Sequence, residues 1–267
     1  MTAVAPIKDE DVAAFARDGA VLIKGLLADR VDALRAAVAE NMAAPSPFER
    51  TYKPADGTAP FFQDFCNWQR IAGYRDAVET SPMGEVAARL MRSRAARMFH
   101  EHVLVKEPGN SMETPWHQDQ PYYLVDGNQS VSFWVPLDPV PREIALEFVA
   151  GSHAWGRDFR PERFDGSALY AGDDAEAVPD VAAQREALNI LGWDMQPGDA
   201  LAFHFRCLHG APANTTTNRR RAVSFRFVGD DARFARRKGR TSPPFPHLDF
   251  EDGAPFEGPE FPVIWPR

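Results

Sequence analysis

The segment Ser-Val-Ser-Phe-Trp-Val-Pro-Leu, residues 130–137, indicates the fold class, because β-branched and aromatic residues dominate it. Similar short segments occupy residues 97–106, 145–149, 200–205 and 221–228, and Pro, Gly and Asp residues separate them. No long helical pattern lies between these candidate strands. Strands in this order predict an antiparallel sandwich or barrel rather than a parallel α/β sheet.

The residues before this β-rich region have helical character. A first helix is predicted at residues 9–17, followed by a short strand at residues 20–23. Asp29 is expected to cap a second helix. Residues 43–60 contain four prolines and predict a loop, after which helical character returns at residues 69–92.

We expect the 267 residues to form one mainly β domain with flanking helices. Residues 1–94 provide mainly helical support, residues 95–230 form the β core, and residues 231–267 form an extended segment on the surface. The long, charged and irregular segment at residues 155–188 interrupts the core. Loops of this length in a compact domain are commonly lids or binding loops, so we interpret this one as a candidate lid.

Composition and charge exclude several classes of function. A formal net charge of −8 and a pI near 5.4 argue against a general nucleic-acid-binding protein, which usually has a basic excess. The two cysteines have no disulfide or metal-binding spacing, no signal peptide is recognisable, and no apolar run is long enough to cross a bilayer. We therefore predict a soluble, cytoplasmic protein with a small-molecule substrate and with neither nucleic-acid nor membrane partners.

The segment Thr-Pro-Trp-His-Gln-Asp-Gln, residues 114–120, contains the first candidate metal ligands. In an extended strand, residues two apart point the same way, so the side chains of His117 and Asp119 can bind one ion. The same His-x-Asp spacing recurs at residues 247–249, but that segment lies in a proline-rich tail with no histidine after it. We interpret the second occurrence as surface residues that do not bind a metal.

His209 is the preferred third ligand, because it ends an apolar strand and precedes a turn. Two imidazoles and one carboxylate on one side of an ion form the facial triad of non-haem Fe(II) oxygenases, which leaves positions open for a co-substrate and O2. His153 and His204 are weaker candidates, since no anion-binding residue follows either of them at a useful spacing.

Arg220, eleven residues after His209, opens a predicted strand. If Arg220 points inward, Ser224 and Arg226 do too, because alternate residues of a strand share a face. A buried guanidinium needs an anion, and its planar fork matches a carboxylate. The distal carboxylate of 2-oxoglutarate is the natural partner, with its 2-oxo acid end chelating iron. Arg221 is the neighbouring alternative to Arg220.

Six motifs occur in a fixed order along most of the chain: VKEPG (105–109), PWHQDQPYY (115–123), SFWVPLD (132–138), FVAGSH (148–153), GDALAFH (198–204) and HGAPAN (209–214). With the arginine run that follows, they resemble the phytanoyl-CoA dioxygenase family of Fe(II)/2-oxoglutarate-dependent oxygenases. The resemblance implies a double-stranded β-helix, the cupin-like jelly roll, with supporting helices. It also implies iron at His117, Asp119 and His209, with 2-oxoglutarate near Arg220 and Trp134.

Some positions depart from the family pattern. Some relatives place a serine or threonine two residues after the distal histidine as a second contact to the co-substrate; this chain has Ala211 there, and Ser224 is the expected substitute. Many relatives carry Asn-Gly in the turn where this chain has Glu143-Ile144. Relatives that halogenate replace the carboxylate ligand by a small residue, so Asp119 argues against halogenation.

These features predict an Fe(II)- and 2-oxoglutarate-dependent dioxygenase that uses O2 to hydroxylate an unactivated C–H bond. Its substrate is expected to be a small, anionic metabolite, and its by-products are succinate and CO2. Gln118 is an expected contact of the co-substrate. The expected substrate contacts are Gln120, Tyr122, Tyr123, His102 and Arg226.

Alternatives to these assignments stay open. The tyrosines fit ordinary aromatic residues at a barrel rim equally well, and Arg226 could instead pair with Asp230 or Asp231. A different class is a cupin-type metal-binding protein or isomerase without 2-oxoglutarate turnover. Its metal ligands would be His100, His102 and His117.

Overall fold

The computed structural model describes residues 7–162, 169–170, 172 and 174–266. Its helices lie in the first third of the chain and are α1 (Asp9–Asp18), α2 (Val31–Ala43), α3 (Ala72–Thr80) and α4 (Met83–Met91). Its strands are β1 (Ala20–Ile23), β2 (Arg50–Tyr52), β3 (Phe61–Phe65), β4 (Ala96–Lys106), β5 (Thr114–His117), β6 (Val125–Asp126), β7 (Ser130–Pro136), β8 (Glu147–Val149), β9 (Ile190–Leu191), β10 (Ala200–Phe203), β11 (His209–Ala211), β12 (Arg220–Val228), β13 (Arg233–Phe234) and β14 (Val263–Trp265). Among the helices described, none has the length and apolar character needed to cross a membrane.

Two antiparallel sheets form the body of the fold. The larger sheet has the strand order β1-β10-β7-β12-β4-β3-β2, with β14 also paired to β4, and the smaller sheet has the order β5-β11-β8-β9. Their inner faces pack against each other: the ring centroids of Phe148 on β8 and Phe203 on β10 are 5.1 Å apart. This is the mainly β architecture that the sequence predicts, with two facing sheets that do not close into a barrel.

The helices cover the outer face of the larger sheet. Val223 and Phe225 of β12 belong to the same buried cluster as Leu34 of α2 and Tyr74 of α3. Ser224, between them in sequence, points the other way and lines a cavity between the sheets. The alternation along β12 therefore separates an apolar face, buried under helices, from a polar face that is available for a site.

Some elements differ from those expected from the sequence. The helical region at residues 69–92 is divided into α3 and α4, because Pro82 cannot continue a helix. Asp29 lies in a short 3-10 turn, and no side chain caps α2. The loop expected at residues 43–60 contains β2, which pairs with β3. All residues of β3 are buried, so its sequence lacks the polar alternation by which a strand is recognised.

The C-terminal segment, which follows Val228, packs against one end of the larger sheet. The strands β13 and β14 lie in its described residues. Phe256 and Phe261 from this segment contact the ring of Phe99 on β4, with ring centroids 5.5 Å and 5.8 Å away. Tyr123 belongs to the same aromatic cluster. The C-terminal segment therefore supports the loop that follows β5, which carries a candidate metal ligand.

Candidate metal centre and its cavity

His117 and His209 face each other across two neighbouring strands. They are directly paired in the β5–β11 register, and their ring centroids are 4.2 Å apart. The Nδ1 of His117 bonds the carbonyl of Pro115 at 2.8 Å, and the Nδ1 of His209 bonds the carbonyl of Cys207 at 2.9 Å. When Nδ1–H donates to a carbonyl, the lone pair of Nε2 is free for a metal.

Asp119 completes the cluster from the turn after β5. Its backbone is helical, with φ −71° and ψ −39°, and the N–H groups of Asp119 and Gln120 both donate to the carbonyl of Phe205, at 2.8 Å and 3.0 Å. The expected extended backbone is therefore wrong at Asp119, and the turn held by Phe205 aims the carboxylate. Ligand atoms of His117, Asp119 and His209 all lie within 4.8 Å of one another.

The protonation states of this cluster suit a divalent cation. Burial raises the pKa of Asp119, but Arg226 and the two imidazoles outweigh it and hold that pKa at about 2. Burial lowers the pKa of His209 to about 3. Metal binding requires an ionised carboxylate and neutral imidazoles, so both groups are ready to coordinate.

Two side chains fix the second oxygen of the Asp119 carboxylate. Ser132 Oγ donates to Oδ2 at 3.2 Å, and Arg226 Nε donates to the same oxygen at 3.4 Å. The other oxygen, Oδ1, lies 3.8 Å from His117 Nε2. One oxygen is thus held by the protein while the other faces the imidazoles, which fits the donor set of an iron facial triad. We call His117, Asp119 and His209 the metal end of the cavity.

The rival ligand set is not brought together. His100 packs edge-on against Phe99 and Tyr123, and neither of its ring nitrogens has a hydrogen-bond partner in the described part of the chain. His102 lines the cavity, but its Nε2 bonds Gln63 Oε1 at 2.9 Å. Within the described residues, the cluster at the metal end is the one group of three potential ligands close enough to share an ion.

Arg220 lies at another end of the same cavity and is 6% exposed. Its Nη1 donates to the carbonyl of Ile144, and no carboxylate of the described residues forms an ion pair with it. Burial lowers its pKa to about 10. Arg221 points away from the cavity and pairs with Asp138 at 2.6 Å. Of the two neighbouring arginines, Arg220 is the one placed to receive an anion in the cavity.

The remaining residues expected to bind the co-substrate are divided between two locations. Trp134 and Ser224 line the cavity, and the buried Oγ of Ser224 has no hydrogen-bond partner among the described residues. Gln118 does not line it: its Nε2 donates to the carbonyls of Arg157 and Arg206, and its Oε1 accepts from the N–H of Phe159. The expectation for Gln118 is therefore wrong, since its amide holds the start of the 155–188 segment.

The expected substrate contacts are also divided. His102, Tyr122, Tyr123 and Arg226 line the cavity. Gln120 turns away, and its Nε2 donates to the carbonyl of Val125, so its assignment is wrong.

Arg226 pairs with the candidate ligand Asp119, not with Asp230 or Asp231 as one alternative held. Asp230 bonds Arg94, and Asp231 accepts from the backbone of residues 128 and 129. The Arg226 guanidinium also lies 5.5 Å from the ring centroid of Tyr123. Its position beside the metal end indicates a role in holding Asp119.

Sequence reasoning missed several polar residues of the cavity wall. Lys106 shares the inner face of β4 with His102, so strand alternation could have identified it. Arg50 could not be found, because its strand lies in a predicted loop, and Gln63 lies on the strand β3 that was not expected. The missed polar residues that line the cavity are Arg50, Gln63, Lys106, Arg160 and Glu162.

The 155–188 segment forms one wall of the cavity. Its described residues Arg160, Glu162 and Val178 line the space, and Tyr122 fixes the segment by donating to the carbonyl of Glu162 and accepting from its N–H, at 2.7 Å and 2.9 Å. Residues 163–168, 171 and 173 of the candidate lid lie outside the described part.

Comparison with known proteins agrees with this geometry. Residues 15–222 match the family model for phytanoyl-CoA dioxygenase. The non-haem α-ketoglutarate-dependent carbocyclase SnoK from nogalamycin biosynthesis is 25% identical with a TM-score of 0.76, over 97% of this chain and 96% of SnoK. The epimerase SnoN, solved with Fe3+, α-ketoglutarate and nogalamycin RO, is 23% identical with a TM-score of 0.76, over 96% of this chain and 98% of SnoN.

A further similar structure is EctD from S. alaskensis with 2-oxoglutarate and 5-hydroxyectoine. It is 21% identical with a TM-score of 0.70, over 96% of this chain and 87% of EctD. These likenesses confirm the predicted jelly-roll fold. Because the family model covers most of the sequence, from the first helix to the strand that begins with Arg220, the chain belongs to the phytanoyl-CoA dioxygenase family.

Proposed function

We propose that this chain is an iron- and 2-oxoglutarate-dependent oxygenase that hydroxylates an unactivated C–H bond of a small, anionic metabolite. The observation that carries the proposal is the approach of ligand atoms from His117, Asp119 and His209 to within 4.8 Å of one another, beside a cavity that also contains the buried Arg220. Iron, 2-oxoglutarate and O2 together supply an oxidant able to cleave an aliphatic C–H bond, with succinate and CO2 as by-products.

The residues of the cavity have distinct roles in this proposal. His117, Asp119 and His209 at the metal end would hold the iron. Arg220 would bind the distal carboxylate of 2-oxoglutarate, and Trp134 lines the same part of the proposed co-substrate site. The Ser224 hydroxyl, buried and without a partner in the described part of the chain, is available to donate to the same co-substrate.

The charge of the cavity wall supports an anionic substrate. Four arginines line it against the two carboxylates of Asp119 and Glu162, although the whole chain has a formal net charge of −8. Such local positive charge attracts anions and raises their local concentration. The four arginines are Arg50, Arg160, Arg220 and Arg226. Lys106 also lines the cavity, but burial lowers its pKa to about 6.

Arg50 and Gln63 are the residues that we assign to the substrate. Arg226 and Arg160 already pair with acidic residues of the cavity, but Arg50 has no ion pair among the described residues. Gln63 is the register partner of Arg50, and its buried Nε2 has no hydrogen-bond acceptor in the described part. A guanidinium next to a free amide N–H suits the oxygens of a carboxylate or phosphate.

The test is a screen of small carboxylates and phosphates with the purified, Fe(II)-loaded protein, 2-oxoglutarate and O2. A substrate should release succinate in proportion to its own conversion, and its product should gain one oxygen atom that is labelled when 18O2 is used. Failure of the Fe(II)-loaded protein to bind 2-oxoglutarate at all would refute the proposal and favour the cupin-type alternative.

Oxidative ring closure is an alternative reaction that the experiment must separate from hydroxylation, because the chain is 25% identical to a carbocyclase. Oxidative ring closure also consumes 2-oxoglutarate and O2, but the product loses two hydrogen atoms and gains no oxygen. Epimerisation leaves the mass unchanged. The mass of the product, measured alongside succinate, therefore separates hydroxylation from these two reactions.

A further inference from the structure

The inner face of the β2–β3 hairpin carries two hydrogen-bond donors among aromatic rings. Arg50 on β2 is the register partner of Gln63 on β3, and Tyr52 is the register partner of Phe61. Phe65 follows Gln63 two residues later and therefore lies on the same face. All five side chains line the cavity. The pair formed by Arg50 and Gln63 thus lies between the Tyr52–Phe61 pair and Phe65.

The amide of Gln63 is oriented by His102 on the neighbouring strand β4. Its Oε1 atom lies 2.9 Å from His102 Nε2, and because a carbonyl oxygen can only accept, the imidazole is the donor. The His102 ring is also stacked on Phe65, with ring centroids 3.9 Å apart and 20° between the ring planes. The amide nitrogen of Gln63 has no acceptor among the described residues. His102 is therefore a positioning residue for this free donor.

Arg50 and Gln63 can together only donate to a bound group. The two adjacent oxygens of an ionised carboxylate accept from both of them. A primary amide in the same place would bring N–H groups of its own against these donors, which leaves buried N–H groups without acceptors. Of the five side chains on this face, Arg50 alone is cationic, and it balances the single charge of a carboxylate.

The aromatic pair beside these donors leads toward the metal end. His102 is the register partner of Phe65 on one side and of Ser224 on the other. Ser224 lies two residues before Arg226, which is beside the metal end. The stacked rings of His102 and Phe65 are therefore one step closer to the metal end along the strands than the amide of Gln63.

Aromatic side chains from other elements line the same part of the cavity. Trp116 on β5 and Tyr122 in the turn after it both line the space, and the Tyr122 ring meets His117 edge-on, with ring centroids 5.8 Å apart. Aromatic rings pack favourably on one another in stacked or edge-on arrangements. A sugar or another polyhydroxylated molecule would need a hydrogen-bond partner for each buried hydroxyl group. These walls therefore favour a planar, apolar body.

We propose that the β2–β3 hairpin binds an aromatic carboxylic acid as the substrate, with its carboxylate on Arg50 and Gln63 and its ring over the Phe65–His102 stack. This inference rests on the proposed function and names the substrate class of the same site. The acid group is then held away from the metal end, and the opposite end of the molecule points toward it. The hydroxylated C–H bond belongs to a carbon remote from the acid group. One oxygen atom of O2 enters the product as its hydroxyl group, and the other enters succinate.

Calorimetry of the anaerobic protein loaded with Fe(II) and 2-oxoglutarate tests the site with three probes. They are 4-ethylbenzoate, its neutral analogue 4-ethylbenzamide, and trans-4-ethylcyclohexanecarboxylate, whose ring is saturated. The benzoate should bind about tenfold more tightly than the benzamide, because only the acid accepts from both donors. It should bind about threefold to tenfold more tightly than the cyclohexane acid, because a planar ring packs better on the aromatic walls.

Three variants test whether the hairpin is the source of this selectivity. Gln63→Glu should weaken 4-ethylbenzoate binding by about tenfold or more, because two carboxylates then repel each other, and should remove the preference for the acid over the amide. Gln69→Glu adds the same charge at an exposed position outside the cavity and should bind like the unmodified chain. His102→Phe keeps a ring on Phe65 but cannot orient the amide, so the ratio of acid to amide affinity should fall. A general loss of stability would leave that ratio unchanged.

The position of oxidation tests the orientation of the bound acid. In air, the loaded protein should hydroxylate 4-ethylbenzoate on its ethyl group, which nuclear magnetic resonance of the product identifies. A hydroxyl group on the ring carbon next to the carboxylate would overturn the proposed orientation.

The outcomes separate this inference from the proposed function. If the protein binds 2-oxoglutarate but binds 4-ethylbenzoate no better than 4-ethylbenzamide, only this inference fails. If the protein does not bind 2-oxoglutarate, the proposed function fails, and the acid preference of the unloaded protein and its loss in Gln63→Glu still test the hairpin. Should Gln63→Glu not fold, equal affinities of the unmodified chain for the acid and the amide would overturn the inference without any variant.

Discussion

The metal end of the cavity and the end around Arg220 differ in how their charges are balanced. At the metal end, Asp119 accepts from both Ser132 and Arg226. Arg220, in contrast, donates to the carbonyl of Ile144 and has no carboxylate partner among the described residues. The balanced end is organised in advance to hold a cation, whereas the unbalanced end gains stability when an external anion binds.

The largest expected effect comes from breaking the balanced end. Asp119→Ala should abolish iron binding, because it removes a ligand, and should cost about 3–5 kcal/mol of unfolding free energy, because Arg226 is left buried without its partner. Metal analysis and thermal unfolding measure the two effects. Asp119→Asn keeps an acceptor for Arg226, so it should recover most of the stability and still fail to hold iron.

The matched control for that change is Asp126→Ala. Asp126 lies outside the cavity and pairs with Arg237 at 2.8 Å, so its loss should leave iron binding unchanged. Stoichiometric iron in Asp119→Ala would show that the ligand assignment is wrong.

The next effect concerns the unbalanced end. Arg220→Met should weaken 2-oxoglutarate binding by about a hundredfold, because it removes the fork that holds the distal carboxylate. Iron binding should persist, since Arg220 forms no contact with the ligands. Calorimetry of the Fe(II)-loaded variant measures the affinity for 2-oxoglutarate. Arg221→Met, which removes an arginine outside the cavity, is the control. Unchanged affinity in Arg220→Met would place the co-substrate elsewhere.

A smaller effect is expected for Arg226, which the sequence assigned to the substrate but which pairs with Asp119. Arg226→Met should lower iron affinity by about tenfold to a hundredfold, because Asp119 loses the guanidinium that orients it. Arg226→Lys should restore part of the affinity, and anaerobic iron titration measures both variants. If instead iron affinity is unchanged and the KM of the substrate rises, Arg226 contacts the substrate, as the sequence suggested.

The smallest effect is expected at Arg50 in the cavity wall. Arg50→Met should raise the KM of an anionic substrate by about tenfold while the affinity for 2-oxoglutarate stays the same, because Arg50 on β2 is assigned to the substrate and Arg220 to the co-substrate. Lys53→Met removes an exposed cation nearby and serves as the control in steady-state kinetics. An equal rise of KM in both variants would indicate general electrostatic attraction instead of a specific contact.

Features that depend on residues close in sequence could be predicted, whereas features that depend on residues far apart in sequence could not. The strands β4, β7 and β12 were found because β-branched and aromatic composition, bounded by turn residues, is a local signal. The approach of His117 and Asp119 was anticipated from their spacing, but the turn that aims Asp119 depends on the carbonyl of Phe205, far along the chain. A contact of that kind leaves no trace in the local pattern.

The same reasoning explains the residues that were misassigned or missed. Gln118 lies between His117 and Asp119 and Gln120 follows them, but the amides of both glutamines bond backbone carbonyls outside the cavity. Alternation along β4 could have placed Lys106 on the inner face, but its position opposite Arg220 depends on the β4–β12 register. Arg50 was hidden by prolines that resembled a loop. Which polar residues face one another across the cavity wall is known only when the strand pairing is known.

Anaerobic crystals with Fe(II) and 2-oxoglutarate, measured with anomalous diffraction at the iron edge, test the central claim most directly. The account predicts iron bound by His117, Asp119 and His209, with the distal carboxylate of 2-oxoglutarate held by Arg220. Iron bound at His100 and His102, or a dicarboxylate remote from Arg220, would contradict it.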